Sequence, residues 1–219
     1  MGVYDMKLRD LVKNLEILEC TAPLDTEISG VSYDSRVTRP GDLFVAIKGF
    51  EADGHKFIPK AVERGAAAVL CEDAPTDGTP YVRVADCRLG LAYASRELFG
   101  NPAKRMTLIG ITGTSGKTTS SYLIKHMLEA KLGAKVGLIG TNGNMIGDEL
   151  IHSEHTTPES YELNKLFDAM ANAGCTHVVM EVSSHALALE RVAGIHFDVG
   201  EFTNLSQDHL DLHGTMEEY

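Results

Sequence analysis

The chain has 219 residues, with 20 Lys+Arg against 31 Asp+Glu, so its formal charge is −11. Hydrophobic residues at 43%, charged residues at 23%, 21 Gly and 7 Pro describe an ordinary globular protein and exclude collagen-like or low-complexity chains. The length suits one large or two small domains with a real core, and the acidic balance argues against a nucleic-acid partner, whose phosphates need clustered Lys and Arg, though not against a nucleotide in a local pocket.

The N-terminal MGVYDMKLRDL lacks the apolar stretch of a signal peptide, and Met6 is an alternative start. No apolar run approaches the ~18 residues of a membrane span, so the expectation is a cytoplasmic protein with no membrane partner. Cys20, Cys71, Cys87 and Cys175 are scattered without a CxxC pair and read as buried reduced thiols. Leu8, Leu11, Val12, Leu15 and Leu18 predict a helix over 7–18. Strands follow at 28–33 and 43–47, separated by the turn Arg39-Pro40-Gly41-Asp42. A helix over 56–64 closes at Gly65, strands follow at 66–70 and 81–84, and a helix over 89–99 ends at Gly100-Asn101-Pro102. That Gly-Asn-Pro, followed by Lys104-Arg105, marks the domain boundary, giving domains 1–103 and 104–219.

Beyond it the pattern is βαβ: a strand at 106–112, a glycine-rich loop, a helix over 118–132 ended by Gly133, and a strand at 135–140. Thr157-Pro158-Glu159 reads as a helix start with Thr157 as N-cap, and Gly174 closes that helix. Residues 177–182 form a continuous apolar strand, as expected when helices cover both faces. A further strand at 196–203 leads to the start of a helix from Gln207. The fold class is α/β with a largely parallel sheet.

Gly113-Thr114-Ser115-Gly116-Lys117-Thr118-Thr119 lies between strand and helix. Backbone N–H groups in such a loop make an anion nest, strengthened by the helix N-terminus. Lys117 is placed to reach β/γ-phosphate oxygens and Thr118 to offer its hydroxyl to Mg²⁺. The strict G-x4-G-K-[ST] spacing fails because Ile111 stands where its first glycine belongs, and no G-x-G-x-x-G is present. Glu181 closes a strand, where ligands of open α/β sheets sit and where a hard carboxylate oxygen suits Mg²⁺. The same position also fits a helix-capping carboxylate. Asp208-His209-x-Asp211-x-His213 reads either as a metal-ligand cluster or as a solvated helix start. Ser183-Ser184-His185 is no nucleophile pair, since no G-x-S-x-G elbow exists.

Taken in order, Gly-Thr-Ser-Gly-Lys-Thr-Thr (113–119), His-Thr-Thr-Pro-Glu (155–159), Met-Glu-Val-Ser-Ser-His (180–185) and Asn-Leu-Ser-Gln-Asp-His-Leu-Asp-Leu-His-Gly (204–214) resemble the ATP-dependent Mur ligases of peptidoglycan synthesis. Tyr33-Asp34-Ser35-Arg36, Pro40-Gly41-Asp42-Leu43-Phe44-Val45-Ala46 and Ala52-Asp53-Gly54-His55 resemble their MurE type, which adds the third residue of the stem peptide. The resemblance implies a small N-terminal α/β UDP-binding domain, then the front of a P-loop ATPase-type domain with a mostly parallel sheet. It implies ATP at Gly113, Thr114, Ser115, Gly116, Lys117, Thr118 and Thr119. UDP-MurNAc-L-Ala-D-Glu would meet Tyr33, Ser35, Phe50, Glu51, Ala52, His155, Thr156, Thr157, Ser183 and Arg191. Mg²⁺ would meet Thr118, Glu181 and His209, and Lys117, Glu181 and His209 carry the catalytic roles. His155 and Leu189 stand where some relatives have Asn and Gln.

The implied reaction activates the D-Glu carboxylate as an acyl phosphate, which the amino group of a diamino acid, diaminopimelate or lysine, then displaces. The chain stops inside the last motif, so the resemblance also implies a fragment without its C-terminal domain and inactive alone, from a monomeric full-length enzyme. A MurF-like or folylpolyglutamate-like ligase, or a non-catalytic UDP-sugar or nucleotide module, are the other readings.

Overall fold

A computed structural model describes residues 6–49, 52–153 and 155–219. The chain divides into two compact units, residues 1–100 and 101–219.

In the first unit β1 (Met6–Lys7) pairs antiparallel with β3 (Glu27–Ile28). A second sheet has the order β2 (Glu19–Cys20), β7 (Tyr81–Arg83), β6 (Ala68–Cys71), β5 (Asp42–Val45), β4 (Gly30–Ser32). The last four strands run parallel and β2 joins antiparallel. Phe44, Val69 and Tyr81 meet Ile58 and Ala61 of α2 (Ile58–Glu63) in the core beneath. The helix predicted over 7–18 stops early, as α1 (Leu8–Val12). After Val12 the chain turns so that the Leu18 N–H can donate to Arg83 O at 2.8 Å. Pairing alongside β7 thus outweighs the helical spacing of Leu15 and Leu18, and Leu18 stays 49% exposed. α3 (Cys87–Leu98) begins two residues before its expected start, because the Asp86 carboxylate accepts from the N–H groups of Arg88 and Leu89. Cys71 and Cys87 are buried, whereas Cys20 is exposed, against the expectation for all four thiols, since β2 lies at the sheet edge.

In the second unit the sheet order is β11 (Glu149–Ile151), β10 (Asn144–Ile146), β9 (Val136–Ile139), β12 (His177–Glu181), β8 (Thr107–Thr112), β13 (Val199–Phe202). β9, β12, β8 and β13 are parallel. The hairpin β10–β11 was not among the predicted elements; it adds an antiparallel edge. Gly147-Asp148, two turn residues between short apolar runs, is the local signal for it. Alternate residues of the central strands enter opposite cores. Leu108, Val178 and Met180 pack with Leu163, Phe167 and Met170 of α5 (Ser160–Asn172). Ile109, Ile111 and Val179 pack with Tyr122, Ile124 and Leu128 of α4 (Lys117–Leu132). This double covering explains the unbroken apolar run of β12. Phe167 is fully buried, and truncating it to Ala would cost about 3–5 kcal/mol. Among the described residues, no helix is long and apolar enough to cross a membrane.

Candidate functional site

β8 and α4 present the glycine loop at the carboxyl end of the parallel sheet. Gly116 caps α4 with φ +86° and Gly113 has φ +128°. A Cβ on Gly113 would lie 2.9 Å from Asn204 O and 3.0 Å from Asn204 N, so the residues after β13 leave room only for glycine. Asn204 fastens the front of the loop: its carbonyl accepts from Thr114 N at 2.9 Å and its side chain from Ser115 N at 3.1 Å. The first N–H groups of α4 have no acceptor within the helix and form the open end of the nest. Ser115 and Gly116 are exposed there, and Lys117 is half-buried. The Lys117 ammonium donates to Gly113 O at 2.6 Å and Thr114 O at 3.1 Å.

Glu181, 1% exposed, ends β12 beside the loop. Its Oε2 accepts from the Thr118 hydroxyl at 2.9 Å and from the Thr141 hydroxyl at 3.1 Å, and its Oε1 accepts from the Thr141 N–H at 3.1 Å. A Cβ on Gly140 would fall 2.2 Å from Glu181 Oε1, so a side chain there would push the carboxylate out of this position. Thr157 lies one layer deeper. Its hydroxyl donates to Glu181 O at 2.9 Å and accepts from Ser183 N at 3.1 Å. That use of the hydroxyl corrects the N-cap expectation: α5 starts at Ser160, and its N-cap, Glu159, makes no side-chain cap bond. Arg191 donates to Thr157 O at 3.1 Å and pairs with Glu159 at 2.5 Å. Ser183 caps the short helix α6 (Ser184–Ala188) by accepting from Ala186 N. Thr156 touches the Thr141 hydroxyl at 3.1 Å, and His155 is exposed.

Thr118, Glu181, Thr157, Ser183 and Arg191 are therefore joined by direct hydrogen bonds, with Thr156 linked through Thr141. Thr141 was missed by sequence reasoning; its place directly after β9, at the carboxyl end of a parallel strand, was the available signal. His209 is not drawn into this group. It sits at φ +52° before the four-residue helix α7 (Leu210–His213), too short for the helix expected from Gln207. Its ring lies edge-on to His185, with centroids 4.7 Å apart. Burial holds the His185 imidazole below its usual pKa, reinforced by His209 and His213. Among the described residues, no hydrogen bond or ion pair links His209 to Glu181, and no group of three or more His, Cys, Asp or Glu side chains is arranged around a metal position.

In the first unit, Tyr33 follows β4 half-buried and Ser35 is buried in the next turn. After the neighbouring strand β5, Gly49 N donates to Ala52 O at 3.0 Å and Gly54 N to Ile47 O at 2.8 Å, and Ala52 is exposed. Phe50 and Glu51 lie outside the described residues. His55 anchors the loop: its Nδ1 meets Asp53 at 2.7 Å, while its Nε2 accepts from the N–H groups of Glu72 and Asp73 at 3.0 and 3.2 Å. Asp53 is held below the usual carboxylate range by the backbone N–H of His55 and then by its ring.

A glycine loop between a parallel strand and a helix, faced by a carboxylate ending the adjacent strand, defines a phosphate-loop α/β protein. Comparison makes this specific. The profile of the Mur ligase middle domain matches residues 111–219, and that described as Mur ligase family, catalytic domain, matches residues 27–99. The chain belongs to the Mur ligase family. It is 49% identical over 220 residues to the UDP-N-acetylmuramoyl-L-alanyl-D-glutamate--2,6-diaminopimelate ligase of Chlorobium phaeobacteroides, covering 98% of this chain and 43% of that one. The protein of the same name from Caldanaerobacter subterraneus is 49% identical over 216 residues, covering 98% and 44%. A solved structure of a ligase of that name superposes with TM-score 0.83 at 29% identity, covering 98% of this chain and 43% of its own. The MurF ligase of Thermotoga maritima, solved in complex with ADP, gives TM-score 0.55 at 29% identity, covering 86% and 40%. The chain thus spans less than half the length of these relatives.

Proposed function

We propose that the protein works as an ATP-dependent amide ligase of peptidoglycan precursor synthesis, joining 2,6-diaminopimelate to UDP-N-acetylmuramoyl-L-alanyl-D-glutamate. The observation that carries this reading is the contact between Thr118, at the start of the loop helix, and the buried Glu181 carboxylate. It sets two hard oxygen donors beside an anion nest, a donor set that suits Mg²⁺ with its remaining positions filled by water and phosphate. The names of relatives at 49% identity supply the substrate class, and the higher TM-score to the diaminopimelate ligase favours it over a MurF-like enzyme.

Bound Mg²⁺·ATP supplies the phosphoryl group that activates the acceptor carboxylate. The chain's own residues position and neutralise, which is most of what phosphoryl transfer needs. Backbone N–H groups of residues 116–119 would cradle the phosphates, and Lys117, now on Gly113 O and Thr114 O, would turn to phosphate oxygens. Thr118 and Glu181, now hydrogen-bonded to each other, would hold the metal. Thr156, Ser183 and Arg191, backed by the buried Thr157, would form the adjoining wall where the muramoyl dipeptide would lie. Tyr33, Ser35 and the loop at 50–52 would hold the UDP end.

Calorimetric titration of the chain tests this, with UDP-MurNAc-L-Ala-D-Glu in one experiment and ATP, with Mg²⁺ or EDTA, in another. Binding of the first and Mg²⁺-dependent binding of the second are expected. No binding of either by a sample that melts cooperatively would overturn the reading.

A further inference from the structure

The Glu181 carboxylate accepts three hydrogen bonds, and two come from Thr141, one from its N–H and one from its hydroxyl. An ionised carboxylate only accepts. The Thr141 hydroxyl has a single hydrogen, so donating it to Oε2 leaves only lone pairs towards Thr156. The 3.1 Å contact between the two hydroxyls must then be a donation from Thr156 to Thr141. The order of donors is Thr156 to Thr141 to Glu181, with Thr118 donating to the same Oε2 from the loop helix. Thr141 is exposed and packs into no core, so bulk packing does not account for its place. Gly140 beside it supplies the space that lets the carboxylate approach.

We propose that Thr141 is a positioning residue: it fixes the Glu181 carboxylate for the metal and connects it, through Thr156, to the wall facing the acceptor substrate. This rests on the reading of Glu181 as the Mg²⁺ carboxylate. An anionic acceptor group arriving at Thr156 requires that hydroxyl to donate outward. The Thr141 oxygen then loses its incoming hydrogen bond, so acceptor binding is felt at the carboxylate without any backbone movement.

The test compares Thr141→Val, which keeps the N–H and removes the hydroxyl, with Thr141→Ser, which restores it. One readout is the Mg²⁺ concentration giving half-maximal ATP binding; the other is the metal-free crystal structure of each variant. Thr141→Val should raise the Mg²⁺ requirement by about tenfold, the scale of one hydrogen bond to a charged group, while Thr141→Ser stays within about twofold of the parent. In the crystal, Glu181 should leave Thr118 in Thr141→Val and remain beside it in Thr141→Ser. A Glu181 that keeps its position in Thr141→Val, or an unchanged Mg²⁺ requirement, overturns the proposal. If the parent chain binds no ATP, the nucleotide reading falls, and the crystal comparison alone decides Thr141. Should Thr141→Val not fold, Thr141→Ala takes its place with the same expectations.

Discussion

The two units build the same kind of sheet, four parallel strands with an antiparallel addition, and finish its carboxyl rim with different chemistry. In the first unit the rim is tied by charge at the surface. Lys48 pairs with Glu72 at 3.1 Å and Asp73 at 2.9 Å, and Arg36 pairs with Asp34 at 2.7 Å, while His55 adds a hydrogen bond from its Nδ1–H to Asp53. In the second unit neutral hydroxyls and backbone N–H groups surround one buried carboxylate. Exposed ion pairs contribute roughly 0–1 kcal/mol each, whereas removing a partner from a buried polar group costs about 1–3 kcal/mol. Surface charge holds a loop in place cheaply. On the proposed reading Glu181 stays buried and open to a cation, and hydroxyl and backbone N–H donors hold it without bringing a competing positive charge.

The largest effect should come from Gly113→Ala. Left-handed strain and the clash with Asn204 together cost on the order of 2–5 kcal/mol, so a large drop in melting temperature and loss of ATP binding are expected. A variant that melts and binds like the parent would show that the loop is not packed as described. Next is Thr157→Val, which orphans the Ser183 N–H and the Glu181 carbonyl; urea unfolding should register about 1–3 kcal/mol. His55→Ala probes the other rim, where the two amides it frees lie nearer water, and about 1 kcal/mol is expected. A cost above that of Thr157→Val would reverse the contrast between the rims.

The smallest effect is pH-dependent. The Arg36 side chain lowers the pKa of Asp34, the His55 N–H that of Asp53, and Lys48 that of Asp73. Carboxylates with lowered folded pKa add stability above their ordinary range near pH 4, and lose it as pH falls through the lowered values. Protection of the Arg36 and His55 amides, which donate to Asp34 and Asp53, measured as exchange relative to the intrinsic rate at each pH, should therefore fall below about pH 4. Unchanged protection down to pH 2.5 would remove these carboxylates as fasteners of the first rim.

The α/β class, the parallel core strands and the glycine loop were legible because each has a local signature: apolar runs, turn glycines and Gly-Lys-Thr-Thr opening a helix. What sequence hid was the outcome of competition between distant groups. Leu15 and Leu18 have helical spacing, yet β7 takes the chain away. Thr157 precedes Pro158 as an N-cap should, yet its hydroxyl is engaged across the sheet by the end of β12. Thr141 has no motif at all, and only strand order places it at Glu181. Thr118 and Glu181 follow from the loop motif and the strand end, residues 156, 157, 183 and 191 only from resemblance, and the hydrogen bonds among them emerge only when β9, β12 and α4 are assembled.

Lys117 gives the loop a threshold. Its ammonium already has two carbonyl partners, at 2.6 and 3.1 Å, so an arriving anion gains only the difference between those contacts and its own. Weak monoanions gain little from that exchange, while a triphosphate, engaging the nest and the ammonium together, gains much. Competition should follow that ladder: chloride and acetate should leave ATP affinity almost unchanged at constant ionic strength, pyrophosphate should displace ATP, and a loop displaced equally by all of them would have no threshold.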